Sequence, residues 1–254
     1  MHEAQLWKEN QFITLTYNEE NLPLNNSLLK SDLQKFWKRL RKHGKFRYYA
    51  CGEYGDHNDR PHYHAIVYGL SLSDKVYHTQ HNGNNLYTSK SLERVWNKGH
   101  VIIGNVTFES CAYCARYIMK KVTGKNQKDH YELYCQETGE KIGDRQPEFN
   151  TMSRRPGIGK EFYDKFTSDM YQEGTDGRLI IRGGISTGTP RYYDTLFSNQ
   201  SELNEQILIA IKERRKQSAI KNESDNTPER LKVKEELCLS IINKKLPRNG
   251  VETC

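Results

Sequence analysis

What constrains the fold most is the order in which two periodicities alternate. Between residues 12 and 106, short strand-like runs and amphipathic helical runs follow one another as β-α-β-β-α-β. Phe12-Ile13-Thr14-Leu15-Thr16-Tyr17 alternates and is rich in β-branched and aromatic residues. Leu29, Leu33, Phe36, Trp37 and Leu40 then recur at helical spacing, with Lys30, Lys35, Lys38, Arg39, Arg41 and Lys42 elsewhere on the wheel. Strands are predicted over 46–53 and 62–69. The polar loop between them is too short for a parallel crossover, so they are expected to be antiparallel neighbours. A Gly/Asn-rich loop around 82–85, a short helix over 89–96 and a strand over 101–106 complete the pattern. This is the split βαβ arrangement: an α+β fold, with an antiparallel sheet, helices on one face and an open face that can hold a site.

At 254 residues the chain can bury a substantial core, as one large domain or a domain with an appendage. Its net charge of +7 leans toward polyanionic partners. There is no basic-then-apolar leader and no apolar run of membrane-spanning length, so a soluble, intracellular protein is expected. Six cysteines fit a reducing compartment. Cys111-Ala112-Tyr113-Cys114 matches C-x-x-C, but no second Cys or His pair stands at zinc-ribbon spacing, so helix packing is the preferred role.

Chemistry enters at Arg60-Pro61-His62-Tyr63-His64-Ala65-Ile66-Val67. In a strand, His62 and His64 project from one face, close enough to share an ion, while Tyr63 points the other way. With nine histidines in the chain, a bare His-x-His is a weak signal. Its strand context, a carboxylate upstream and a tyrosine-bearing helix downstream raise it. Glu53, at the end of the neighbouring strand, is the expected third ligand, with Asp56 and Asp59 as loop alternatives. Imidazoles suit softer divalent ions and carboxylates suit harder ones, so Mg²⁺ or Mn²⁺ is expected from the substrate chemistry.

A helix is predicted over 109–122. On its wheel, Tyr113, Arg116, Tyr117 and Lys120 fall in a stripe about 100° wide, with Ala112, Ala115, Ile118, Met119 and Val122 opposite. A phenol with an ordinary pKa of about 10 is a poor nucleophile at neutral pH unless its charged form is stabilised. Neighbouring lysine and arginine favour the phenolate and attract a backbone phosphate. A metal on His62, His64 and Glu53 would polarise that phosphate for in-line attack. The product is a phosphotyrosine on one DNA end and a free hydroxyl on the other.

Beyond residue 150 lies the basic loop Ser153-Arg154-Arg155-Pro156-Gly157-Ile158-Gly159-Lys160. The chain has no G-x-x-x-x-G-K-[ST], so no ATPase motor is expected. Helices are predicted over 161–172, 200–221 and 229–246, and a strand over 178–182. The expected organisation is a domain over 1–198, its core motifs within 10–125, and a charged helical extension over 199–254.

Three pieces in this order resemble the replication initiators of small single-stranded DNA bacteriophages (microviruses of gokushovirus type) in the HUH endonuclease superfamily. Phe12 to Tyr17 is similar to the first rolling-circle motif. Pro61 to Val67 is similar to the His-hydrophobe-His motif, and Tyr113-x-x-x-Tyr117-x-x-Lys120 to the two-tyrosine third motif. The resemblance implies a metal-dependent nickase and strand transferase with Tyr113, Tyr117 and Lys120 as catalytic residues. It would cut single-stranded DNA at the viral origin of a double-stranded replicative form and prime rolling-circle synthesis. Host helicase and polymerase would be partners, in the cytoplasm of the bacterial host. Arg116, Lys121, Arg154, Arg155 and Lys160 are expected to contact DNA. A transposase or plasmid relaxase of the same superfamily is the first alternative. A non-catalytic single-stranded nucleic-acid-binding module is the second, and it leaves the histidine pair and the tyrosine stripe unexplained.

Overall fold

Strand β1 (Asn10–Tyr17) forms on the predicted alternating run and becomes a central strand of the sheet. It is followed by α1 (Lys30–Leu40), β2 (Arg47–Tyr54) and β3 (Pro61–Tyr68). Next come β4 (Lys75–His81), β5 (Asn84–Ser89), α2 (Lys90–Trp96), β6 (Gly99–Asn105) and α3 (Phe108–Arg116). Then α4 (Gln127–Tyr131), β7 (Glu132–Tyr134), β8 (Lys141–Asp144) and β9 (Phe149–Met152) lead out of this part of the chain. The computed structural model describes residues 1–55, 58–116, 121–135, 137–172, 174–181 and 184–245.

Among the described residues the largest sheet has seven strands in the order β4-β5-β6-β1-β3-β2-β9. Its inner part, β6-β1-β3-β2, is the split βαβ order, and the pairs β1–β3, β1–β6 and β2–β3 are all antiparallel, as expected. Alternation assigns each strand's residues to two faces. Ile13, Leu15, Tyr17, Ala50, Tyr63, Ala65, Val67, Val101 and Ile103 form one core with Leu33, Phe36, Trp37 and Leu40 of α1 and Leu92, Val95 and Trp96 of α2. Leu29, counted in the apolar stripe, instead precedes α1 and is exposed.

Polar groups inside this core are satisfied. The Tyr17 hydroxyl donates to Asp32 (3.0 Å) and lies 2.9 Å from the Tyr63 hydroxyl, which also accepts from Leu29 N–H (2.9 Å). Arg39, read as part of a basic face, donates to the Val95 and Trp96 carbonyls and so caps the last turn of α2.

Two strands lie outside the sequence expectation. The loop around 82–85 is the tip of the β4–β5 hairpin, where Asn82 (φ 47°) and Gly83 (φ 77°) take the left-handed conformations a tight hairpin turn needs. At the other edge β9 pairs with β2, Ala50 opposite Thr151. A second glycine is dictated by packing: at Gly69 (φ 82°) a Cβ would stand 2.3 Å from the Trp7 ring.

The chain divides into two compact units, the first running from Met1 to Ile158 and the second beginning at Gly159. The first holds all three resembling motifs. The second contains α5 (Lys160–Met170), β10 (Arg178–Ile181), β11 (Ile185–Gly188), α6 (Arg191–Ser198), α7 (Glu202–Lys221) and α8 (Pro228–Lys245). Its core is aromatic, with Tyr171 stacked on Phe197 at 4.1 Å. The helices predicted over 161–172, 200–221 and 229–246 all form within a residue or two of those bounds. Leu231, Val233, Leu237 and Leu239 of α8 are exposed. Among the described residues no helix is long and apolar enough to cross a membrane.

Candidate active site

The face of the sheet turned away from α1 and α2 carries the chemistry. In the register, His62 stands opposite Glu53 on β2 and Thr16 on β1, and His64 stands opposite Cys51 and Thr14. These six side chains therefore share one face, as the His-x-His spacing predicts. Tyr63, between the histidines, is fully buried in the other core.

Glu53 and His64 are in direct contact: Glu53 Oε1 lies 2.7 Å from His64 Nε2. The contact is diagonal across the β2–β3 pair, a reach a long side chain makes easily. Both residues are almost wholly buried, at 1% and 3% exposure, an environment in which a carboxylate needs a charged or hydrogen-bonding partner. The far ring nitrogen of His64, Nδ1, lies 3.0 Å from Thr14 Oγ1, and Phe12 stacks parallel to the ring at 5.8 Å. The imidazole is thus fixed in plane and in azimuth. Half-buried His62 donates its Nδ1–H to the Arg60 carbonyl (2.8 Å), which directs Nε2 as the lone-pair nitrogen of the neutral ring. Arg60 is itself anchored, to the Tyr17 carbonyl (2.9 Å) and to Glu19.

In donor type, two imidazoles and a carboxylate suit a divalent cation taking nitrogen and oxygen ligands. In placement, Glu53 and His64 are together, and the His62 ring is nearly parallel to that of His64 with centroids 6.5 Å apart. Among the described residues no group of three or more His, Cys, Asp or Glu side chains is drawn together as tightly as a cation site requires. Asp59, one loop alternative, is turned to Arg145 (2.8 Å); Asp56 lies outside the described residues.

Helix α3 lies over this same face. Tyr113 meets the His64 ring edge-on at 5.1 Å and Phe12 at 6.1 Å. Cys114 is fully buried and joins Phe12, Cys51, Ile66 and Tyr68 in a second small core, with Cys111, Tyr113, Ala4 and Trp7 packed against it. The Cys51 thiol alongside and the burial push the Cys114 thiol well above its ordinary value, and burial raises Cys111. Both are protonated at neutral pH, which fits the packing role expected of the C-x-x-C pair. The wheel expectation is corrected in one respect. The cysteine-tyrosine side of the helix meets the sheet, while Ala115, placed on the packing side, is exposed. A small core lined by thiols and aromatic rings accepts that side, and alanine has little surface to bury.

Tyr117 and Lys120 lie outside the described residues. Arg116 is half-buried on α3, with Nε enclosed and without a hydrogen-bond partner among the described residues, and Lys121 is exposed. Arg154 and Arg155 are exposed in the loop after β9, away from the histidines. Lys160 begins α5 in the second unit, where it pairs with Asp164. Sequence spacing does not single out Thr14 and Cys51 as members of the site. Thr14's place in the alternating Phe12–Tyr17 run is the available signal.

The fold and this face together define a class: a split-βαβ domain whose open face sets a carboxylate–histidine pair against a helix-borne tyrosine. Known proteins narrow it. Residues 10–122 match the family of replication-associated proteins typified by ORF2. Replication-associated protein VP4 of Bdellovibrio phage phiMH2K is 32% identical over 203 residues, covering 76% of this chain and 59% of that protein. Replication-associated protein ORF2 of Spiroplasma virus 4 is 34% identical over 226 residues, covering 84% and 65%. Replication-associated protein ORF4 of Chlamydia phage 1 is 28% identical over 227 residues, covering 84% and 53%. No solved structure matches. The chain is a relative of phage replication-associated proteins and spans between about half and two thirds of the length of these three.

Proposed function

We propose that the chain nicks and rejoins DNA as an initiator of rolling-circle replication of a single-stranded DNA phage, with Tyr113 as a nucleophile. The observation that carries this reading is the edge-on placement of Tyr113 against His64, itself in contact with Glu53. A replication role accords with the names of the three phage relatives.

Glu53, His62 and His64 would hold a divalent metal ion, Mg²⁺ or Mn²⁺. When bound, the ion would supply Lewis-acid polarisation of the scissile phosphate and orient it. The remaining work falls to the chain. Thr14, Phe12 and the Arg60 carbonyl hold the two imidazoles in place, as groups behind metal ligands commonly do. The Tyr113 phenol loses its proton as its oxygen attacks phosphorus, and Arg116 beside it on α3 favours the developing negative charge. The new bond joins Tyr113 Oη to phosphorus; the bond broken is that from phosphorus to the 3′ oxygen, which leaves as a 3′-hydroxyl after taking a proton. The 5′ end stays on the protein as a phosphodiester, so the strand can be rejoined without ATP. Tyr117, four residues on, would serve as the second nucleophile that cuts the regenerated origin, with Lys120 assisting.

The test is incubation of single-stranded DNA carrying the phage origin with Mn²⁺ or Mg²⁺, followed by denaturing electrophoresis. A covalent protein–DNA adduct is expected, lost on chelation and in the Tyr113→Phe/Tyr117→Phe double variant. An adduct that persists in the double variant overturns the nucleophile assignment.

A further inference from the structure

Away from the histidines, the start of β2 carries an arginine-lined groove of about 560 Å³ bounded by Arg41, Phe46, Tyr48, Arg154 and Arg155. Other arginines of this unit are neutralised or tied to carbonyls: Arg60 by Glu19, Arg145 by Asp59, Arg39 by the end of α2. Among the described residues Arg41, Arg154 and Arg155 have no carboxylate within ion-pair distance. Arg41 lies over the rings of Phe46 (5.4 Å) and Tyr48 (5.8 Å), which fix its guanidinium without neutralising it. The loop bearing the other two is clamped to β2. Ser153 N–H donates to the Tyr48 carbonyl (2.9 Å), Tyr48 N–H donates to Ser153 Oγ (3.1 Å), and Arg47 donates to the Pro156 carbonyl (2.6 Å). Three unpaired guanidiniums on a braced frame cost repulsion that an anion with several oxygens relieves, and the planar fork matches phosphate.

We propose that this groove binds the phosphodiester backbone of duplex DNA flanking the nick. The proposal rests on the reading of the chain as a DNA-nicking protein. Arg47 opens β2 and Glu53 lies six residues on, roughly 20 Å at about 3.3 Å per residue. That span equals about six base pairs of B-form DNA at roughly 3.4 Å each. The groove therefore holds the duplex arm while the melted strand lies across the histidine face, and it reads charge, not bases.

The test is the salt dependence of binding to a random-sequence duplex and to a random-sequence single strand, measured by fluorescence anisotropy in EDTA. For the duplex, the slope of log affinity against log salt should shrink by about 2 to 3 in the Arg41→Ala/Arg154→Ala/Arg155→Ala variant, near 0.9 for each phosphate no longer neutralised. The triple lysine variant should keep most of the slope while binding more weakly, because it retains charge without the fork. An unchanged slope in the alanine variant overturns the proposal. So does a change confined to the single strand, or a lysine variant that loses as much slope as alanine. No strand is cut in EDTA, so these outcomes stand apart from whether Tyr113 attacks DNA.

Discussion

The two faces of one sheet do opposite work, and β3 supplies both in alternation. Tyr63, Ala65 and Val67 go into the core beneath α1 and α2, while His62 and His64 face the other way with Glu53, Thr14 and Tyr113. On the core face each polar group is matched and dry. Tyr63 has its pKa pushed up to about 12 by burial, and Tyr17 is raised further, by burial and then by the Tyr63 hydroxyl. On the site face the buried polar groups are those that ligate and position. The contrast shows how a single-residue alternation separates stability from chemistry: a substitution at 63 acts on folding, whereas one at 62 or 64 acts on the reaction.

The largest effect expected is on the site face. Replacing both histidines (His62→Ala with His64→Ala) should lower adduct formation by about a thousandfold or more, the several kcal/mol that metal-assisted phosphate chemistry supplies. Cleavage that survives this change would break the division of labour. Glu53→Gln keeps the shape of the carboxylate but not its charge. It should weaken Mn²⁺ binding, measured by calorimetry, by about ten- to a hundredfold, as loss of support at a metal site does; unaltered binding would move the third ligand elsewhere.

Smaller effects are expected from the core face. Tyr63→Phe removes a hydroxyl in contact with Tyr17 and Leu29. In urea denaturation it should cost about 1–3 kcal/mol, the penalty for buried partners left unmatched. A variant that loses cleavage at full stability would show that the faces are not separable. The smallest effect is on pH dependence. A phenol whose folded pKa is raised contributes stability that is complete below its unfolded value of about 10 and is lost as pH rises through the folded value. With Tyr63 raised to about 12, stability should fall between about pH 10 and 12, and Tyr63→Phe should flatten that fall.

The inner sheet was legible in the sequence because hydrophobic alternation and short antiparallel connections leave few alternatives. The outer strands were less so. The β4–β5 hairpin hides in a polar run, Lys75 to Ser89, that is mostly exposed and so lacks a strong apolar signature. Its Asn82-Gly83 pair marks a turn without revealing the strands on either side. Strand β9, four residues long, has no periodicity to detect. At the site, the shared face of His62, His64 and Glu53 follows from spacing and neighbouring strands alone. The face by which α3 packs does not, because a helical wheel orders side chains around an axis without saying which side the sheet will accept. Cys111, Cys114 and Tyr113 pack inward, although Ala112 and Ala115 belong to the more apolar side of the wheel. The arginine groove was beyond reach for a similar reason: it joins residue 41 to residues 154 and 155 through the pairing of β2 with β9.

The central claim is that a tyrosine on the helix facing His64 becomes joined to DNA. It is tested most directly by digesting the protein–DNA adduct with protease and nuclease and locating the residual nucleotide by mass spectrometry. The account predicts a nucleotide phosphate on Tyr113 or Tyr117; a nucleotide on any other residue, or no adduct with Mn²⁺ and origin DNA present, would contradict it.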